Sequence, residues 1–194
     1  MKIKIGILLL SAVLLGACNL NQPVAPEQGS NVVLYEGAVE LADKQFGLYY
    51  GDRNGNETGV YYVVLSDAMC FRAGFGNPYM DSEGDMLVLE FNGPLAEDEL
   101  NPRIPEGTYV VGATKSGEST IDPTRSYVQR FVGNVQSKYE IKSGSITVGA
   151  SQSGGYDLYT TDLVISKAGQ DYSVRYSYNG DILLEDYMLV APSQ

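Results

Sequence analysis

The sequence predicts an all-β domain, and three observations carry that expectation. Apolar residues recur at every second position in several segments, as half-buried strands require. Dipeptides that favour tight turns stand between those segments. Past the N-terminus no long stretch shows helical periodicity or heptads.

The elements follow in chain order. Val33, Tyr35, Val39 and Leu41 share one face of an extended segment, with Glu36 and Glu40 on the other. Val60 to Leu65 is a continuous apolar run, suited to a central strand covered on both sides. Leu87, Leu89 and Phe91 alternate with Met86, Val88 and Glu90. The clearest alternation sets Tyr172, Val174, Tyr176 and Tyr178 against Ser173, Arg175 and Ser177. The four large residues belong to a core, and Arg175 with its serines faces water. Asn54-Gly55 and Asn179-Gly180 are predicted as type I′ hairpin turns, because both central residues need positive φ. Gly117, Gly144, Gly154-Gly155 and Gly169 mark further breaks. Asp122-Pro123 is placed to cap one helical turn, and Pro94 to Leu100 to form another. The spacing gives about ten strands in a single antiparallel β-sandwich, jelly-roll or Ig-like, with a barrel as the alternative.

Composition narrows the function. The chain has 194 residues, 13 Lys+Arg against 24 Asp+Glu and a net charge of −11. Nucleic-acid partners need a cationic face, so they are not expected. The sequence holds no histidine, which removes Ser-His and Cys-His catalysis and histidine metal sites. No cofactor is expected. Paired carboxylates are the acid–base chemistry left open, since glycoside hydrolysis needs only two, about 5–9.5 Å apart. With 24 acids, the sequence alone cannot pick a pair.

Residues 1–17 read as a targeting segment. Lys2 and Lys4 precede an apolar run from Ile5 to Leu15, shorter than the roughly 20 residues a spanning helix needs. Leu15-Gly16-Ala17-Cys18 directly follows that core and resembles the lipobox of bacterial lipoproteins. The resemblance implies cleavage before Cys18 and acylation of Cys18, which then anchors the chain to a membrane. Several acyl chains hold stably where one holds only marginally. Position 19 is Asn rather than Asp, which in such lipoproteins implies the outer membrane. Residues 18–31 are then a lipidated cysteine and flexible tether, rich in Pro, Gly and amide side chains, and 32–194 form the β domain. Further on, Pro105-Glu106-Gly107-Thr108-Tyr109-Val110-Val111 and Ser143-Gly144-Ser145-Ile146-Thr147-Val148 enter strands through glycine corners. This grammar resembles β-rich lipoproteins of Gram-negative bacteria, and the resemblance carries no activity with it.

The expected role is non-catalytic: binding of a glycan or protein, or assembly, at the cell envelope. A structural or accessory subunit and a carboxylate-dependent hydrolase are the alternatives. Loops present recognition on such scaffolds. The segment from Phe71 to Gly84 mixes aromatic and polar groups, and Arg72, Phe75, Asn77 and Tyr79 are its candidate ligand-binding residues. The segment is expected either to cover the core end or to form the contact surface. Fifteen tyrosines supply rings with polar tips, as interfaces use. Cys70, among apolar neighbours, is expected to be a small buried hydrophobe and a free thiol. Asp52, Asn54, Asn56 and Glu57, and Asp81, Glu83 and Asp85, are oxygen-rich clusters. Both read better as hydrophilic turns than as calcium loops, the first because its ligand spacing fails after Asn56.

Overall fold

The computed structural model describes residues 32–33, 39–40, 44–68, 70–72, 78–112, 119–152 and 154–187. The predicted targeting segment, Cys18 and the predicted tether lie outside these residues. Every regular element described is a strand. In chain order they are β1 (Val32–Val33), β2 (Val39–Glu40), β3 (Lys44–Tyr49), β4 (Gly59–Ser66), β5 (Cys70–Arg72), β6 (Pro78–Met80), β7 (Gly84–Gly93) and β8 (Gly107–Val111). There follow β9 (Thr120–Ile121), β10 (Tyr127–Val132), β11 (Val135–Ala150), β12 (Tyr156–Lys167), β13 (Gln170–Val174), β14 (Tyr176–Gly180) and β15 (Leu184–Asp186).

The fold is all-β, as expected, and its centre is a closed barrel of five strands. β7 and β11 are each long enough to hold two partners along one edge, with a third on the other edge. The first half of β7 pairs with β10 and its far end with β9. The first half of β11 also pairs with β10, and its second half with β8. The parallel pair β8–β9 completes the ring. The barrel is thus the alternative raised from the sequence. From β7 the sheet continues through β4 and β3 to β15, and from β11 through β12 to β13 and β14. More strands are present than the spacing gave, because β1, β2, β9 and β15 are two or three residues long and Arg175 divides one strand into β13 and β14.

Two-residue turns join β10 to β11 and β12 to β13. Gly133-Asn134 and Ala168-Gly169 have positive φ at both positions, the type I′ geometry. The predicted hairpin dipeptides behave otherwise. Asn179-Gly180 lies inside β14, paired with Asp157 and Tyr156. Asn54-Gly55 belongs to a turn in which the Gly55 amide donates to the Asp52 carbonyl, and only Gly55 of the pair takes positive φ. The helical turns are replaced by carboxylate-capped turns. Asp122 Oδ1 accepts from the amide and hydroxyl of Thr124, and Asp98 accepts from the amides of Leu100 and Asn101.

The core fills the barrel and the space between the two arms of the sheet. Tyr61, Val63, Leu65, Leu87, Leu89 and Phe91 meet Ile146, Val148, Leu158, Leu163 and Ile165 across it. Tyr172, Val174, Tyr176 and Tyr178 are all buried, and Arg175 is exposed, as the alternation requires. β4 is covered on both sides: Val64, with Met86 and Val88 of β7, packs outward against Ala68 and Met80.

Candidate functional site

The core is tightly filled where β4, β7, β11, β12 and β14 meet. Between Leu65, Leu87, Leu89, Ile146, Leu158 and Tyr176 about 10 Å³ is left, which is room for about one water.

The predicted contact segment forms a hairpin of its own. β5 and β6 pair as a separate two-stranded sheet, with Phe71 opposite Tyr79 and Arg72 opposite Pro78. Successive side chains of β6 point to opposite faces. Pro78 and Met80 are buried, whereas Tyr79 is 46 % exposed. Met80 closes the outer apolar cluster over β4 and β7, so one side of the hairpin is cover and the other is surface. Phe75 and Asn77 lie outside the described residues, as do the side chains of Arg72 and Cys70.

The oxygen-rich turns are used within the fold. Asp52 accepts from the amides of Asn56 and Glu57, and Glu83 from the amide of Gly133. Asp85 is buried in the barrel, where Oδ1 accepts from Arg130 Nε at 3.0 Å and Oδ2 from the Tyr176 hydroxyl at 2.8 Å. Among the described residues no three His, Cys, Asp or Glu side chains group so as to hold a metal ion.

A second polar cluster lies on the outer face of β7, the face that Glu90 shares with Met86 and Val88. The Glu90 side chain is only 3 % exposed. The hairpin loop 50–58 folds over it. Arg53 Nη2 reaches Glu90 Oε1 at 2.5 Å while its guanidinium lies over the Tyr50 ring at 4.8 Å. Arg125 Nε stands 3.8 Å from the same oxygen. Asn54 Nδ2 donates to Asn92 Oδ1, whose own amide reaches Thr120 Oγ1. The backbone of Glu90 is tied to the 122–126 turn: its amide donates to Ser126 Oγ and its carbonyl accepts from the Asp122 amide. Burial pushes the Glu90 carboxyl above its ordinary value, outweighing the opposite pull of Arg53 and Arg125. Asp122 is buried beside it and adds to the rise, and its Oδ2 has no hydrogen-bond partner. Beyond Glu90, Tyr62 and Tyr127 are hydrogen-bonded to each other, and burial raises both hydroxyls.

Glu90 and Asp122 are two buried acids close enough to influence each other electrostatically, the arrangement that hydrolysis by paired acids would need. Its chemistry is constrained. Glu90 is held by an arginine, Asp122 caps its own turn, and both are buried. The hollow of about 710 Å³ nearby is lined by Thr124, Ser126, Tyr127, Lys138 and Lys142 and by neither acid. Sequence reasoning missed this cluster, yet a signal was present. Met86 and Val88 make the outer face of β7 apolar, and a covered face requires Glu90, two positions on, to be covered as well.

At one end of the barrel a hollow of about 470 Å³ lies between the 94–106 loop and the 149–156 turn. Arg103 crosses it, donating to the Gly154 carbonyl and stacking over Tyr156 at 4.8 Å. Leu95, Glu97 and Asp98 are exposed on its rim. Among the described residues no helix is long and apolar enough to cross a membrane. No protein-family model matches the chain, and neither a curated protein nor a solved structure matches it significantly.

Proposed function

We propose that the chain is a lipoprotein anchored in the outer membrane through acylated Cys18, and that its β domain binds a glycan or protein ligand without catalysis. The observation that carries the binding half is the state of the buried acids. Glu90 and Asp122 are enclosed and engaged by Arg53 and Thr124, whereas rings such as Tyr79 stay exposed on the outside. An exposed ring on a covered hairpin is placed for contact, since Met80 anchors the hairpin from its other face. The anchoring half rests on the Leu15–Cys18 motif. Residues 18–31 serve as the tether and 32–194 as one domain. A sandwich arrangement of the strands outside the barrel is supported by the apolar cluster that the β3–β15 and β12–β14 arms share through Tyr49, Leu184, Tyr156 and Tyr178.

The test has two arms. Cells expressing the full chain are labelled with a tritiated fatty acid. The wild-type protein should carry label and sediment with outer membranes, and Cys18→Ala should lose both. Retention of membrane association by Cys18→Ala would refute the anchor. Binding is read on the wild-type lipoprotein in detergent, by retention on immobilised polysaccharides and by cross-linking to envelope proteins. Failure in both would refute the binding role.

A further inference from the structure

The outer face of β8, β11, β12 and β14 carries a pattern that neither the core nor the polar cluster uses. Thr147 is directly opposite Thr108 on one side and Tyr159 on the other, and Tyr159 is opposite Ser177. These four residues form one row across four strands. Their side chains share the outer face, because Tyr109, Ile146, Val148, Leu158, Tyr176 and Tyr178 occupy the alternate, buried positions. Tyr159, 49 % exposed, is the ring in this row.

A second row, Ser145 and Thr161, flanks the ring on one side, with Val110 opposite Ser145. Asp157 and Asn179, opposite each other, flank it on the other side. Neighbouring positions in a row are about 5 Å apart, and successive rows are nearly 7 Å apart. The result is an aromatic ring set in a grid of hydroxyl, amide and carboxylate groups. Thr108 and Thr147 already hydrogen-bond each other through Oγ1 at 3.2 Å, which fixes the hydroxyls in place before any ligand arrives.

Charge decides the class of partner. Within these rows Asp157 is the one charged residue, and the exposed Arg175, two residues before Ser177, is the cation on the same strand path. On a chain of net charge −11 this face offers no field for a polyanion. A stable protein interface wants an apolar centre, and here Tyr159 and Val110 are the exposed apolar groups. A neutral polyhydroxylated chain fits both halves of the pattern. Its C–H faces stack on the ring, and its hydroxyls exchange hydrogen bonds with Thr147, Ser177, Asp157 and Asn179. We propose that this face, centred on Tyr159, binds a neutral glycan. The inference rests on the binding role above and names its surface and ligand class.

The test uses the full lipoprotein in detergent, run through native gels containing single soluble polysaccharides. Neutral probes are a dextran, a mannan, a xylan and a β-glucan, and dextran sulfate is the anionic one. At least one neutral polysaccharide should retard the wild type and dextran sulfate should not. Tyr159→Ala should weaken retardation about tenfold with an unchanged melting temperature, while Tyr159→Phe keeps most of it. Unaltered retardation of Tyr159→Ala would overturn the surface and leave the binding role standing, the more so if Tyr79→Ala removed it. No retardation by any neutral probe would overturn the ligand class. A photo-cross-linker at position 159 that captured an envelope protein or a second copy would overturn it too, while preserving the binding role.

Discussion

Gly144 and Asp162 oppose each other where β11 and β12 both slip register, and there is no room between them for a side chain. A Cβ on Gly144 would lie 2.6 Å from the Asp162 carbonyl oxygen. Gly144 has φ +111° and Asp162 has φ +50°. The slip is what keeps both strands facing the core. Inward residues run Tyr139, Ile141 and then Ile146, Val148 on β11, and Leu158, Thr160 and then Leu163, Ile165 on β12. Without the extra residues the second half of each strand would turn its apolar side to water.

Gly144→Ala should therefore destabilise by roughly 1–3 kcal/mol, through strained φ and the backbone clash together. Gly133→Ala is the control, since Gly133 has φ +59° with open space around it. Urea midpoints of the two variants should differ, with Gly144→Ala the lower. Equal midpoints would mean the register slip absorbs a side chain and is not pinned by Gly144.

The buried Asp85 ties three strands together. Arg130 lies directly across from it in the β7–β10 pair, and Tyr176 comes from the far arm of the sheet. Removing the carboxylate leaves the Arg130 guanidinium buried without its counter-charge. Asp85→Ala is expected to cost about 3–5 kcal/mol. Tyr176→Phe, which removes one hydrogen bond to a charged group and keeps the ring, should cost about 1.5–3 kcal/mol. Chemical denaturation of both variants checks the order. A smaller loss for Asp85→Ala than for Tyr176→Phe would contradict the ion pair's place in the core.

What the sequence made legible was local. The run Tyr172 to Tyr178 reads correctly because period two survives the break at Arg175. Val60 to Leu65 reads correctly because a strand covered on both sides has no polar face to confuse it. The turns misled where a dipeptide was taken for a conformation. Asn179-Gly180 sits in a strand, held by its pairing with β12, while Ala168, a residue that resists positive φ, takes it at φ +52° because the β12–β13 register leaves two residues to turn the chain. The burial of Glu90 and Asp85 was not legible for another reason. Their partners Arg53 and Arg130 lie 37 and 45 residues away, and no pattern of spacing announces such pairs.

Glu90 makes stability depend on pH in a stated direction. Burial raises its carboxyl above the ordinary 4.5, so between 4.5 and the raised value the folded chain binds a proton that the unfolded chain has released. Stability contributed by this group is therefore present at the acid end of that window and is lost as pH rises through the folded value. Glu90→Gln removes the titration. The stability of the wild type relative to Glu90→Gln should fall as pH is raised through the window from about pH 5. A flat difference would show that Arg53 and Arg125 cancel the effect of burial, and one that grows with pH that they outweigh it; either would overturn the prediction.

The β5–β6 hairpin yields the last prediction, because its two faces differ so sharply at adjacent residues. Met80 is buried against Val64, Ala68, Met86 and Val88, and it holds the hairpin over the outer face of β4 and β7. Truncating it opens a cavity in that cluster, and Met80→Ala should cost about 2–5 kcal/mol. Tyr79, on the other face, is half exposed, so Tyr79→Ala should change stability by less than about 1 kcal/mol. Paired thermal melts of the two variants decide whether the hairpin is cover, surface or both. A loss at Tyr79 as large as that at Met80 would make the whole segment core cover, and Tyr79 would lose its standing as a contact residue. A loss confined to Met80 would make one face of the hairpin cover and leave the Tyr79 face as the candidate contact surface.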